Sequence, residues 1–146
     1  MKITLKNTSL LKEKIDRGKI RKLIEVILRR EDKKLGEIEI VFLNDSEILK
    51  INRKFLQHDY FTDVIAFGYN RKNEISGDIC IGIESVSRNA VKYKTIFRNE
   101  IIRVIVHGVL HLIGYDDKNS ESKERMREME DFYLNRYETK DDGSEL

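Results

Sequence analysis

Proline and tryptophan are absent from this 146-residue chain, cysteine occurs once and histidine three times. With no repeat and no proline-rich or other low-complexity linker, nothing marks an internal boundary. The length is read as one domain over residues 1–137, with a flexible acidic tail at 138–146. A single cysteine, Cys80, excludes a disulfide framework, and a domain this long buries a sufficient core without one. The expected compartment is therefore reducing, the cytoplasm, with Cys80 a buried residue of a core strand. No apolar run approaches the roughly 18 residues of a membrane span, and no basic-then-apolar leader opens the chain, so no membrane role is expected. Charged residues at 37% and hydrophobic ones at 40% place the chain between membrane and disordered compositions.

The net charge of +2 hides an uneven distribution. Residues 1–34 carry 12 basic and 5 acidic side chains, whereas residues 116–146 carry 6 basic and 11 acidic. A basic start can attract phosphates, or it can be the solvated face of an amphipathic helix. Hydrophobic periodicity supplies the elements. Short strands are expected at 1–6, 37–43, 62–69 and 77–83, the last two as a hairpin. Helices are expected at 15–30, at about 45–55 after a cap at Asn44 or Asp45, at 84–94, 98–113 and 120–136. Gly36 is read as the stop after the first helix. The helix over 98–113 is apolar almost all round and so central, with Gly114 as its terminator. The expected fold is α+β: one small mixed sheet packed against this central helix, with other helices around it.

Chemistry concentrates at residues 107–117, HGVLHLIGYDD. On a helix, i and i+4 share a face, so His107 and His111 present two imidazoles to one point. Two imidazoles in so apolar a helix need partners or a metal. Gly114 lets the chain turn back, so that Asp116 or Asp117 can supply a third ligand. Two His and a carboxylate with an open position form a catalytic zinc arrangement. Gly108 stands where an HExxH metalloprotease keeps its catalytic Glu, which argues against a peptidase of that kind. It also keeps one edge of the helix open to a backbone or a substrate.

These residues closely resemble the HGxLHLxGYDH signature of the YbeY-type endoribonucleases, the rRNA maturation factors. Upstream, residues 52–67 (NRKFLQHDYFTDVIAF) resemble that family's N-x-x-Y-R-x-x-D-x-x-T-D-V-L-S-F stretch. Residues 77–79 (GDI) and the EIIR at 100–103 are also similar to it. The resemblance implies a mixed sheet with surrounding helices, one zinc ion on three ligands, and hydrolysis of single-stranded RNA. It further implies partners in ribosomal RNA and the small ribosomal subunit, with roles in 3′-end maturation and ribosome quality control. Position by position, it makes His107, His111 and Asp117 the metal ligands and the catalytic group. Asp117 replaces the family's third histidine, and Asp116 is the second candidate. Leu56 falls where the family carries an arginine, a natural phosphate clamp. Arg53, Lys54 and His58 are the nearby candidates to contact RNA in its place. Two other classes remain open: a ribosome-assembly RNA-binding protein with a mainly structural metal, and a non-haem iron oxygenase, whose facial triad is also two His and a carboxylate.

Overall fold

A computed structural model of the chain describes residues 1–57 and 62–139. Four strands, β1 (Lys2–Lys6), β2 (Lys34–Leu43), β3 (Val64–Gly68) and β4 (Glu74–Gly82), form one sheet in the order β1-β2-β4-β3. β1, β2 and β4 are parallel, and β3 pairs antiparallel with β4 as the expected hairpin. The helices are α1 (Arg17–Arg30), α2 (Asp45–Leu56), α3 (Ile83–Lys92), α4 (Phe97–Ile113) and α5 (Ser120–Thr139). The single α+β domain is thus as expected, with α5 running two residues past the boundary drawn at 137. Among the described residues, no helix is long and apolar enough to cross a membrane.

The period-2 alternation of the strands sorts side chains between the two faces of the sheet. Ile38, Ile40 and Phe42 of β2 join Ile75, Ile79 and Ile81 of β4 in the main core, against α1 and α4. Residues of opposite parity, Leu43, Cys80 and Ile65, build a smaller cluster with Ile48 of α2. Cys80 is therefore a buried free thiol, as expected, and burial pushes its pKa up to about 11. α2 starts on a complete capping box, in which the Asn44 side chain accepts from the Glu47 backbone and the Glu47 side chain accepts from that of Asn44.

Three local expectations change. Gly36 does not end a helix. It lies inside β2, where the register against β4 shifts between Leu35 and Ile38. The stop after α1 is Asp32, in a left-handed conformation at φ 59°, with Lys33 N–H donating back to the Leu28 carbonyl at 2.8 Å. Phe55, whose helical spacing from Ile48 and Ile51 predicts the buried face of α2, is 58% exposed and keeps an edge contact with Phe67, while Asn52 is buried. Gly108 does not open the helix to a substrate. Its missing Cβ lets α4 press onto β4, since a methyl there would stand 2.6 Å from Ile79 Cγ2.

Ile79 is fully buried in the main core, and three of its side-chain carbons stand within 3.3 Å of that methyl. Gly108→Ala is therefore expected to destabilise the protein by about 1–3 kcal/mol, the usual cost of overpacking. Thermal unfolding would register a drop of several degrees, and an unchanged midpoint would show that Ile79 rotates aside freely.

Candidate metal centre and its cavity

α4 carries two faces with different tasks. Ile101, Ile102, Val104, Ile105, Val106, Val109 and Leu110 are buried in the core. Glu100, Arg103, His107 and His111 recur at spacings of three and four, which puts them along one stripe. Glu100, Arg103 and His107 of this stripe, with α5 and Asp63 just before the hairpin, line a cavity of about 590 Å³. Asp63, Asn89, Arg103, His107, Asp117 and Glu130 are among its walls.

The His107 and His111 rings meet edge to face with centroids 4.5 Å apart, and their Nε2 atoms are 2.9 Å apart. Gly114, at φ 122°, reverses the chain just beyond, and Tyr115 N–H closes the turn on the Leu110 carbonyl at 3.0 Å. Tyr115 then donates its hydroxyl to Glu31 Oε1 at 2.8 Å, which ties the turn to the end of α1. The result returns Asp117 over α4. Its Oδ2 lies 3.6 Å from His107 Nε2 and its Oδ1 3.8 Å from His111 Nε2. Asp116 does not join them. It is exposed and accepts from the Lys118 backbone N–H, a bond that holds its carboxyl below the usual range.

His107, His111 and Asp117 therefore offer three ligand atoms, all within 4.8 Å of one another. Two ligands on a tetrahedral zinc at ordinary Zn–N and Zn–O distances stand about 3.3 Å apart. Separations of 2.9, 3.6 and 3.8 Å bracket that value, so the donors fit a small divalent ion. Two imidazoles, one carboxylate and no thiolate are a donor set that suits zinc among several transition metals. Among the described residues no fourth ligand joins the group, which leaves a coordination position open.

Glu130 of α5 is the residue that sequence reading missed. It is 8% exposed, and its Oε2 lies 2.5 Å from His107 Nδ1. A carboxylate only accepts, so the proton sits on Nδ1 and the Nε2 lone pair faces Asp117 and His111. Burial works against protonating His107, but the Glu130 hydrogen bond and charge, with Asp117 and Asp63 behind, outweigh it and raise its pKa. Burial and then the charge of His107 lower the pKa of His111. Arg103 is clamped between Glu130 Oε1 at 3.1 Å and Asp131 Oδ1 at 2.6 Å. Asp63 accepts from Asn89 Nδ2 at 2.9 Å, and burial raises its carboxyl pKa. The only advance signal of Glu130 was an acidic residue on an amphipathic helix, indistinguishable from the solvated acids around it.

The expected RNA contacts fare differently. Arg53 and Lys54 are exposed on α2, which packs on the other face of the sheet, and neither lines the cavity. Lys54 Nζ lies over the Phe55 ring, 5.3 Å from its centroid. Leu56 is 41% exposed, and His58 lies outside the described residues.

Comparison with known proteins follows the same residues. A sequence model described as Endoribonuclease YbeY matches residues 4–138. A protein of that name from Chlorobaculum parvum is 38% identical over 136 residues, covering 93% of this chain and 95% of its own. Another from Chloroherpeton thalassium is 43% identical over 124 residues, covering 85% and 88%. The solution structure of TM1509 from Thermotoga maritima is similar at a TM-score of 0.63 and 25% identity, covering 98% of this chain and 99% of that one. Matched over residues 4–138 and 38% identical to a relative of that name across 93% of its length, this chain belongs to the Endoribonuclease YbeY family.

Proposed function

We propose that this protein is a zinc-dependent endoribonuclease that cuts single-stranded RNA, with one ion held by His107, His111 and Asp117. The proposed setting is 3′-end maturation and quality control of small-subunit ribosomal RNA in the cytoplasm. The observation that carries the reading is the convergence of these three donors, two of which line the cavity, with Glu130 behind one of them. A structural zinc site is closed by four protein ligands, whereas three leave room for a reacting group. The chemistry the ion supplies is Lewis-acid polarisation of a phosphoryl oxygen and a lowered pKa for water.

The chain's own residues do the rest. Glu130 holds the His107 proton at Nδ1 and so aims Nε2. Asp117 and His111 complete the cluster from the turn and from the next turn of α4. Lys123 and Arg127 of α5 line the cavity and offset its carboxylates where an RNA phosphate enters. Arg53, Lys54 and His58 are assigned to the approaching backbone, together with the basic face of α1. A second reading, an RNA-binding assembly protein with a structural metal, draws on Leu56, which puts an uncharged side chain where the family pattern carries arginine.

The test is cleavage of an end-labelled single-stranded RNA by protein as purified, after chelation, and after zinc is restored. Cleavage should vanish on chelation and return with zinc, and metal analysis should find about one zinc per chain. Unchanged cleavage after complete removal of metal would overturn the reading, and iron in place of zinc would overturn the metal assignment.

A further inference from the structure

The turn between α3 and α4 exposes Val91, Tyr93 and Ile96 at 81%, 61% and 52%, three large side chains within six residues. Scattered exposed apolar residues need no explanation, but a cluster marks a surface with a task. Here the cluster stands at the mouth of the functional cavity, because Tyr93, Thr95 and Asn99 line that cavity together with His107 and Asp117. Cations surround it. Lys92, Lys94 and Arg98 are all exposed, and Lys92 Nζ lies over the Tyr93 ring, 5.4 Å from its centroid.

Backbone hydrogen bonds define the turn. Thr95 N–H donates to the Ala90 carbonyl at 2.9 Å and Lys94 N–H to that of Val91 at 3.3 Å, the paired bonds of a Schellman motif. Its left-handed position is filled by Lys94 at φ 55°. Glycine is the usual residue there, and lysine lacks the short polar side chain that lets Asn or Asp tolerate it. Lys94 thus stands in a left-handed turn position directly beside Tyr93, which lines the cavity.

We propose that this turn is a docking platform for single-stranded RNA, on which Tyr93 stacks a base while Lys94, with Lys92 and Arg98, meets the adjoining phosphates. The inference rests on the endoribonuclease reading for its ligand. An exposed aromatic ringed by cations is how sequence-tolerant single-strand binding is built. From Phe97 to His107 is ten residues of α4, about 15 Å at a helical rise. The stacked base therefore lies a few nucleotides from the bond that is cut. The platform would hold the strand in register with the metal and select unpaired RNA, since a base inside a duplex cannot stack on Tyr93.

The test is fluorescence anisotropy of a labelled oligouridine on the full-length protein in chelator, so that RNA is bound without being cut, with cleavage measured separately in zinc. Tyr93→Ala should weaken binding about tenfold and Tyr93→Phe should restore it, the behaviour of a stacking aromatic. Lys94→Gly should keep or raise the melting temperature while flattening the slope of log affinity against log salt by about 0.7, one phosphate contact on a single strand. Wild-type binding in all three variants would overturn the platform while leaving the nuclease reading intact, and would turn the patch toward an acidic protein partner. Loss of affinity in Tyr93→Ala from a wild type that binds but never cuts would support the platform and overturn the nuclease. A wild type that binds no single-stranded RNA in chelator but cuts it in zinc would overturn the platform alone, and one that neither binds nor cuts would overturn both.

Discussion

His111→Ala is expected to lower cleavage of single-stranded RNA about a thousandfold or more, with the fold intact. The substitution removes one of three donors, and the two that remain, His107 and Asp117, leave a site that holds a divalent ion weakly. A bound metal contributes several kcal/mol of transition-state stabilisation, and each 1.4 kcal/mol is about tenfold in rate. The side chain is 29% exposed, so its truncation leaves a gap open to water rather than a dry void. Circular dichroism and thermal unfolding in chelator should therefore match the wild type, while metal analysis finds well under one ion per chain. Equal cleavage rates for variant and wild type would place the chemistry elsewhere.

Glu130→Gln should weaken zinc binding by about 10- to 100-fold, the usual effect of removing an outer carboxylate from a ligating histidine. Three consequences act together. The amide still accepts from His107 Nδ1 but without charge, so the imidazole becomes a poorer donor. Its other end presents an NH₂ toward Arg103, which the carboxylate had held at 3.1 Å. Arg103 then keeps only Asp131, at 2.6 Å. Competition with a chromophoric chelator reads the affinity directly and needs no RNA. Cleavage at saturating zinc should recover most of the loss, because the three donors themselves are unchanged. Failure to recover would mean that Glu130 touches the substrate and is not only a positioning residue.

Much of this was legible in the sequence because the relevant signals are local. His107 and His111 announce themselves by spacing, Gly114 by its place after an apolar run, and the β3–β4 hairpin by two short strands around a polar turn. What was not legible depends on where distant elements meet. Glu130 is one acid among many on α5, and only the packing of α5 against α4 brings it 2.5 Å from an imidazole. Gly36 looked like a helix stop because glycine so often is one, yet the chain used Asp32 for that and spent Gly36 on a shift of register. Phe55 has the right period for a core residue, but α2 outruns the cluster that covers its earlier turns. Arg53 and Lys54 lie just before Leu56 in sequence, on α2, whereas the cavity is built mainly from α4, α5 and the α3–α4 turn.

Glu31 accepts from both Tyr115 and Tyr133, joining the end of α1 to the ligand-bearing turn and to α5 across 84 and 102 residues of chain. Contacts of such sequence separation carry a loop-closure entropy cost that the rest of the fold must offset. A chain emerging from its N-terminus thus presents His107, His111 and Asp117 before it can orient them, and the orienting carboxylate arrives only with the last helix. The cluster of His107, His111 and Asp117 is therefore complete in its surroundings only when α5 is in place, and a chain cut short before residue 120 is expected to keep the three donors but to lack the carboxylate behind His107.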